Sequence, residues 1–208
     1  MTEAFDAKDY WIKRHERFRG DWRSIGNLAR SSEKNKAQQR VDEQRTVRIV
    51  ERLLSDLSLP TALDLACGVG RMAPLLVGMG FKYLGLDISP AAIEQAWRFC
   101  PEAKFLVADM VTYEPERQYD FVLASRVLVH LVEQADWQRG VALIGRALAP
   151  GGLCLLVDKI GEEREEVASH VVNRSRTEYE EAFSEVGLLF TDETWEAIPV
   201  DYHTVRRA

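Results

Sequence analysis

Short apolar runs alternate along the middle of the chain with stretches whose apolar residues recur at helical spacing. Thr61-Ala-Leu-Asp-Leu-Ala66 reads as a buried strand, Lys82-Tyr-Leu-Gly-Leu-Asp87 as a second ending in an acid, and Phe105-Leu-Val-Ala-Asp109 as a third ending in another. Tyr119-Asp-Phe-Val-Leu-Ala-Ser125 forms a fourth, and Leu148-Ala-Pro-Gly-Gly-Leu-Cys-Leu-Leu-Val-Asp158 a turn leading into a fifth. Helices are predicted between them over 71–78, 90–99 and 133–148, the last stopped by Pro150-Gly151-Gly152. Such alternation predicts a parallel sheet with helices on both faces. Further on, Thr177 to Val186 is a last helix with Thr177 as cap and Glu180 three residues later, followed by terminal strands Leu188 to Thr191 and Trp195 to Val205.

Upstream of the first strand the pattern is helical and more polar. Asp9 to Arg19 predicts a short helix, Gly20 to Gly26 a turn, and the polar segment Ser31 to Arg40 leads into a helix. Val47, Val50, Leu53, Leu54 and Leu57 repeat there at helical spacing, and the helix ends before Pro60 and packs on the sheet. These elements divide the chain into a helical leader, residues 1–58, and a core, residues 59–208, within one compact body.

Chemistry enters at Asp64-Leu-Ala-Cys-Gly68-Val-Gly70, where an apolar strand meets a glycine turn. Gly68 and Gly70 allow a tight turn and close approach of the backbone to a ligand, and a helix follows at once. With Ala73 the turn also satisfies the loose G-x-G-x-x-G/A pattern, so the glycines alone leave NAD and other nucleosides open. Asp64 separates them. A carboxylate there repels a pyrophosphate and attracts a ligand carrying an ammonium and a sulfonium.

Asp64 to Gly70 resembles the first motif of the class I S-adenosylmethionine-dependent methyltransferases, and the later strands follow in that family's order and spacing. The resemblance implies an α/β three-layer sandwich: a seven-stranded, mostly parallel sheet with an antiparallel C-terminal strand, behind a helical N-terminal leader. It also implies S-adenosyl-L-methionine as cofactor. Asp87 is expected to accept hydrogen bonds from both ribose hydroxyls, Ser89 being better placed to cap the next helix. Asp109 is expected to accept from the adenine amino group, with Met110 beside the ring and Ile88 covering a face. Asp64, the backbone of Ala66 to Gly70, and the backbone of Ser125 and Arg126 are expected to hold the methionine portion.

Catalytic candidates are fewer. His130 lies just past the fourth strand, where relatives often carry a histidine, and its alternative role is structural, bonding a backbone carbonyl. His15 reaches the site only if the leader folds over as a lid. Tyr10 and Trp11, one turn before Arg14 and His15, give a face that in that case caps the cofactor and contacts its carboxylate, and otherwise they anchor their helix. Asp158, with Lys159, ends strand five and is expected to face the same crevice; the two touch the acceptor or pair with each other. Ala124-Ser-Arg-Val departs from the acid-or-Asn, Pro, Pro, aromatic run of the nucleobase and glutamine amino-methylating enzymes, which disfavours that class. No metal-ligand spacing is present.

Residues 1–52 hold 13 of the 27 Lys and Arg but only 9 of the 33 Asp and Glu, a net +4, leaving a body with 14 against 24, a net −10. An acidic body opposes a broad phosphate-tracking surface and hence nucleic acid. The charged first eight residues and the lack of a long apolar run predict no signal peptide and no membrane span, and three cysteines, Cys67, Cys100 and Cys154, suit a reduced cytoplasmic setting. The short, charged 160–174 segment leaves no large recognition insertion, which favours a small-molecule methyl acceptor. The expected activity is methyl transfer to oxygen or nitrogen of a small metabolite. The alternatives are a lyase or cyclase acting on the same cofactor, a non-catalytic partner subunit of the same fold, and an NAD-dependent oxidoreductase. Acceptor identity and oligomeric state are not legible.

Overall fold

The computed structural model describes residues 5–54, 60–195 and 201–207. Five strands, β1 (Thr61–Leu65), β2 (Lys82–Asp87), β3 (Lys104–Val107), β4 (Tyr119–Ser125) and β5 (Leu148–Asp158), pair in parallel in the order β3-β2-β1-β4-β5. After two further strands in a separate hairpin, β6 (Glu165–Ala168) and β7 (Val171–Asn173), the sheet is completed by β8 (Leu188–Trp195) and β9 (Asp201–Arg207). β9 lies antiparallel between β5 and β8, giving seven strands in all. The expected three-layer architecture is therefore the observed one.

Alternation along each strand builds both cores. Leu63, Leu65, Val122, Ala124, Cys154 and Leu156 point to one face, against Trp137, Val141 and Ile144 of α5 (Gln134–Ala147) and Tyr179 and Phe183 of α6 (Arg176–Glu185). Ala62, Phe121, Leu123, Leu153 and Leu155 point to the other, against Ile49 and Val50 of α2 (Ser32–Leu54), Leu76 of α3 (Ala73–Gly78) and Ile93 and Ala96 of α4 (Pro90–Phe99). A strand buried on both faces must be apolar at successive positions, which explains the continuous runs in the sequence. The three cysteines are unbonded and buried. Among the described residues no helix is long and apolar enough to cross a membrane.

Several boundaries differ from expectation. The first helix, α1, runs Ala7–Arg17 because the Asp6 side chain accepts from the backbone N–H groups of Lys8 and Asp9. The last helix starts one residue before Thr177: Ser175, not Thr177, is its cap, and Glu178, not Glu180, completes the reciprocal pair. The pairing of Gly161 with Arg174 and Arg176 fixes the chain direction there and brings Ser175 to the cap position. Residues 165–173, expected as a charged connection, form the β6–β7 hairpin. Leu57 and the 196–200 part of the expected last strand lie outside the described residues.

Candidate functional site

Sheet order reverses between β1 and β4, the place where an open α/β sheet leaves a crevice at its carboxyl ends. There the chain encloses a cavity of about 1090 Å³, floored by the strand ends and roofed by α1, the 25–30 loop and the first turns of α2. One side is formed by the β6–β7 hairpin through Val167, His170 and Val171.

The glycine turn forms the floor. Gly68 has φ +56° and a Cβ there would lie 2.9 Å from Cγ2 of Ile25 in the roof, so side-chain absence is what lets leader and turn meet. Gly70 (φ +74°) turns away from the cavity, and a Cβ there would meet Ala96 at 2.8 Å and Phe105 at 3.0 Å. Ala66, Cys67 and Gly68 line the cavity, and Gly70 does not.

Three strand-end acids face the same space. Asp64 is buried and accepts a hydrogen bond from the Tyr83 hydroxyl at 2.8 Å. Burial pushes its carboxyl up to about 7, against the opposing pull of the Tyr83 bond and the Arg71 guanidinium. Asp87 accepts from the backbone N–H of Gly68 at 2.9 Å and of Ser89 at 2.8 Å, and Ser89 itself caps α4. Burial raises the Asp87 carboxyl, and the nearby His15 ring opposes that. Asp109 accepts from the Val111 N–H at 2.9 Å and ion-pairs with Lys8 of α1 across the cavity rim. Ile88, Met110, Ser125 and Arg126 complete this wall; Arg126 has φ +55° and pairs with Asp42 of α2 at 2.7 Å.

The leader covers the crevice. His15, only 3% exposed, lines the cavity. Trp11 packs edge-on to the His130 ring at 4.6 Å, and Tyr10 stacks on His170 at 4.7 Å without itself lining the cavity. Nδ1 of His130 donates to the His170 carbonyl at 2.7 Å, because a carbonyl can only accept; its Nε2 therefore carries the lone pair. Burial pulls this ring down to about 4, so it is neutral near pH 7.

Asp158 is not on the cavity wall. Strand alternation turns it to the α6 side, where it is fully buried, 3.3 Å from the Tyr179 hydroxyl, and pushed up to about 8 by burial. Lys159 faces outward and pairs with Glu165 at 3.6 Å instead of with Asp158. The expectation that the two face the crevice is corrected on both counts.

Other residues were missed. Arg71, directly after the glycine turn, lies against Ser125 Oγ at 3.4 Å and near Glu43 at 4.0 Å; its position after the turn was the available signal. On α2, Asn35, Gln39, Asp42 and Thr46 are each at most 4% exposed, a buried polar stripe at helical spacing. Asn35 clamps the roof by bonding both backbone groups of Asn27, at 3.0 and 2.9 Å. Read as sequence, such residues look solvated. His170 comes from a hairpin that has no strong strand pattern.

Fold and crevice together define a doubly wound α/β protein whose strand-end crevice is covered by its own N-terminal helices. Residues 62–152 match the family described as "Methyltransferase domain". That segment holds β1 to β4 and the glycine turn, and it is similar there to the methyltransferase family expected from the strand-end acids. A trans-aconitate 2-methyltransferase of Methylobacterium radiotolerans is 35% identical over 119 residues, 55% of this chain and 44% of the relative. The chain thus spans about half the length of such curated relatives. Among solved structures, magnesium protoporphyrin IX methyltransferase from Synechocystis PCC 6803 with bound SAM superposes with a TM-score of 0.73 at 18% identity, covering 100% of both chains. The DhpI–SAH complex superposes with a TM-score of 0.68 at 22% identity, over 97% of this chain and 95% of that one.

Proposed function

We propose that this chain transfers the methyl group of S-adenosylmethionine to oxygen or nitrogen of a small molecule bound in the covered cavity. The supporting observation is the roofed crevice itself: strand-end acids and a glycine turn below, leader helices above, and room for small ligands between them. The activity for which the trans-aconitate relatives are named agrees with a small acceptor.

The residues present suit the cofactor. Each Asp87 oxygen accepts one backbone N–H and keeps a lone pair for a ribose hydroxyl. Gln39 lines the cavity and its Oε1 is buried with no partner, an acceptor suited to an ammonium group. Asp109, Met110 and Ile88 would hold the adenine; Asp64, Arg71, the Ala66–Gly68 backbone and the Ser125–Arg126 backbone would hold the methionine portion. When bound, the cofactor supplies an electrophilic methyl group on sulfonium.

The chain's own residues then align and exclude water. Alignment alone is worth roughly 7–11 kcal/mol of barrier. His130 lines the cavity, but a ring pulled down to about 4 is a weak base near neutral pH. Its role in this reading is to orient the acceptor and, with Trp11, to wall the pocket. His15, lowered in the same direction by burial, acts likewise.

Equilibrium binding of S-adenosylhomocysteine against NAD tests the cofactor, and mass spectrometry of products from cell extract tests transfer. Tight S-adenosylhomocysteine binding and a product heavier by one methylene unit are expected. NAD binding without response to the thioether refutes the reading. Methylthioadenosine released with no acceptor present assigns the lyase or cyclase alternative instead.

A further inference from the structure

The roof of the cavity holds a buried cation that no acid among the described residues neutralises. Arg14 is 8% exposed. Its guanidinium donates to the Arg23 carbonyl from Nε at 3.2 Å and Nη2 at 2.8 Å, to the Gly26 carbonyl, and to the Tyr10 hydroxyl at 3.2 Å. Its Cζ lies 4.7 Å from the Trp11 ring centroid. Every one of these partners is neutral, and among the described residues no carboxylate forms an ion pair with it. A buried charge left uncompensated is costly, so such an arrangement asks for an anion from outside the chain.

A second observation points to a ligand at the same place. Nδ1 of the adjacent His15 is buried without a hydrogen-bond partner, and the residue lines the cavity at 3% exposure. The positive charge of Arg14 also lowers the proton affinity of His15, His130 and His170, which sets it among the three rings.

The cofactor brings only one carboxylate. Arg71 already stands at the methionine end, beside the glycine turn, with its charge facing Asp64. Arg14 occupies the histidine-lined wall instead. The cavity of about 1090 Å³ also exceeds the roughly 300–1,000 Å³ usual for one small ligand.

We propose that Arg14 seats a carboxylate of the methyl acceptor, so that the acceptor class is small organic acids. This rests on the methyl-transfer reading above. Arg14 and the His15 Nδ1 together hold the acid against the His130 side of the cavity, and the fixed cation discriminates against neutral analogues.

The test uses the full chain saturated with S-adenosylhomocysteine and titrated calorimetrically with trans-aconitate, succinate and benzoate, each beside its methyl ester. At least one acid is expected to bind at least about tenfold tighter than its ester, a comparison that needs no variant. Arg14→Gln should abolish that preference and Arg14→Lys should keep part of it, while S-adenosylhomocysteine affinity changes less than about threefold in either. Equal binding of acids and esters, or no binding by any of the acids, overturns the proposal. So does a loss of S-adenosylhomocysteine affinity in Arg14→Gln that spares 5′-methylthioadenosine, because the anion is then the cofactor's own. Failure of the wild type to bind S-adenosylhomocysteine at all instead refutes the methyl-transfer reading on which the proposal stands.

Discussion

Substituting Gly68 with alanine tests whether leader and glycine turn are in contact. Two costs act on Gly68→Ala. The residue sits at φ +56°, where a Cβ costs roughly 1–2 kcal/mol in any surroundings. The same Cβ would stand 2.9 Å from Ile25 Cγ2, an overpacking of the kind that typically costs about 1–3 kcal/mol. Together they predict a loss of about 2–5 kcal/mol in urea unfolding. Only the second cost depends on Ile25. In an Ile25→Ala background the clash disappears, and the same substitution should cost no more than about 1–2 kcal/mol. The double-mutant cycle therefore has an expected coupling of about 1–3 kcal/mol. Calorimetry with S-adenosylhomocysteine on the four proteins should show the same rescue in part, because the added methyl also occupies the cavity floor. An identical stability loss in both backgrounds would refute the contact, and with it the closed roof.

Three further outcomes are expected. Asp87→Ala should weaken S-adenosylhomocysteine binding by roughly 1.5–3 kcal/mol, measured by calorimetry, and unchanged affinity would remove Asp87 from the site. Asp158 has a folded pKa raised to about 8 from 3.8, so its contribution is full below pH 3.8 and lost as pH rises through 8. Asp158→Asn should flatten that decline in melting temperature against pH, and a variant curve parallel to the wild type would sink the assignment. Lys8→Gln removes the rim pair with Asp109; Lys8 is about half exposed, so stability should change by less than about 1 kcal/mol, while stopped-flow measurement should show faster S-adenosylhomocysteine release. An unchanged release rate would mean that this pair does not hold the roof.

Much of the core was legible because its physics is local. A strand buried on both faces must be continuously apolar, so β1, β4 and β5 stand out, and the strand-end acids follow from where those runs stop. The roof was harder. Asn35, Gln39, Asp42 and Thr46 carry a helical period in polar residues, and polarity normally signals solvent. Their burial depends on what faces them, the cavity at Asn35 and Gln39 and the Arg126 and Tyr202 side chains at Asp42, and that is a tertiary fact. Asp158 misled for a related reason: its position at a strand end was right, but strand alternation aims it at Tyr179. His170 depends on a hairpin whose register is set by pairing Glu165 with Asn173, and nothing in that charged segment announces strands.

The stripe on α2 begins at Asn35 and Gln39 over the cavity and continues through Asp42 and Thr46 to Ile49 and Val50 in the hydrophobic core. One rigid rod is thus half pocket wall and half foundation. Grafting a different leader onto this body to change its acceptor would have to join the chains inside the helix, between Thr46 and Ile49, and not at the connection before β1. A cut at that connection would take Ile49 and Val50 from the core as well as the roof from the pocket. Within α2, a change of preference falls to the turns that carry Asn35, Gln38 and Gln39, while Ile49 and Val50 stay in the core.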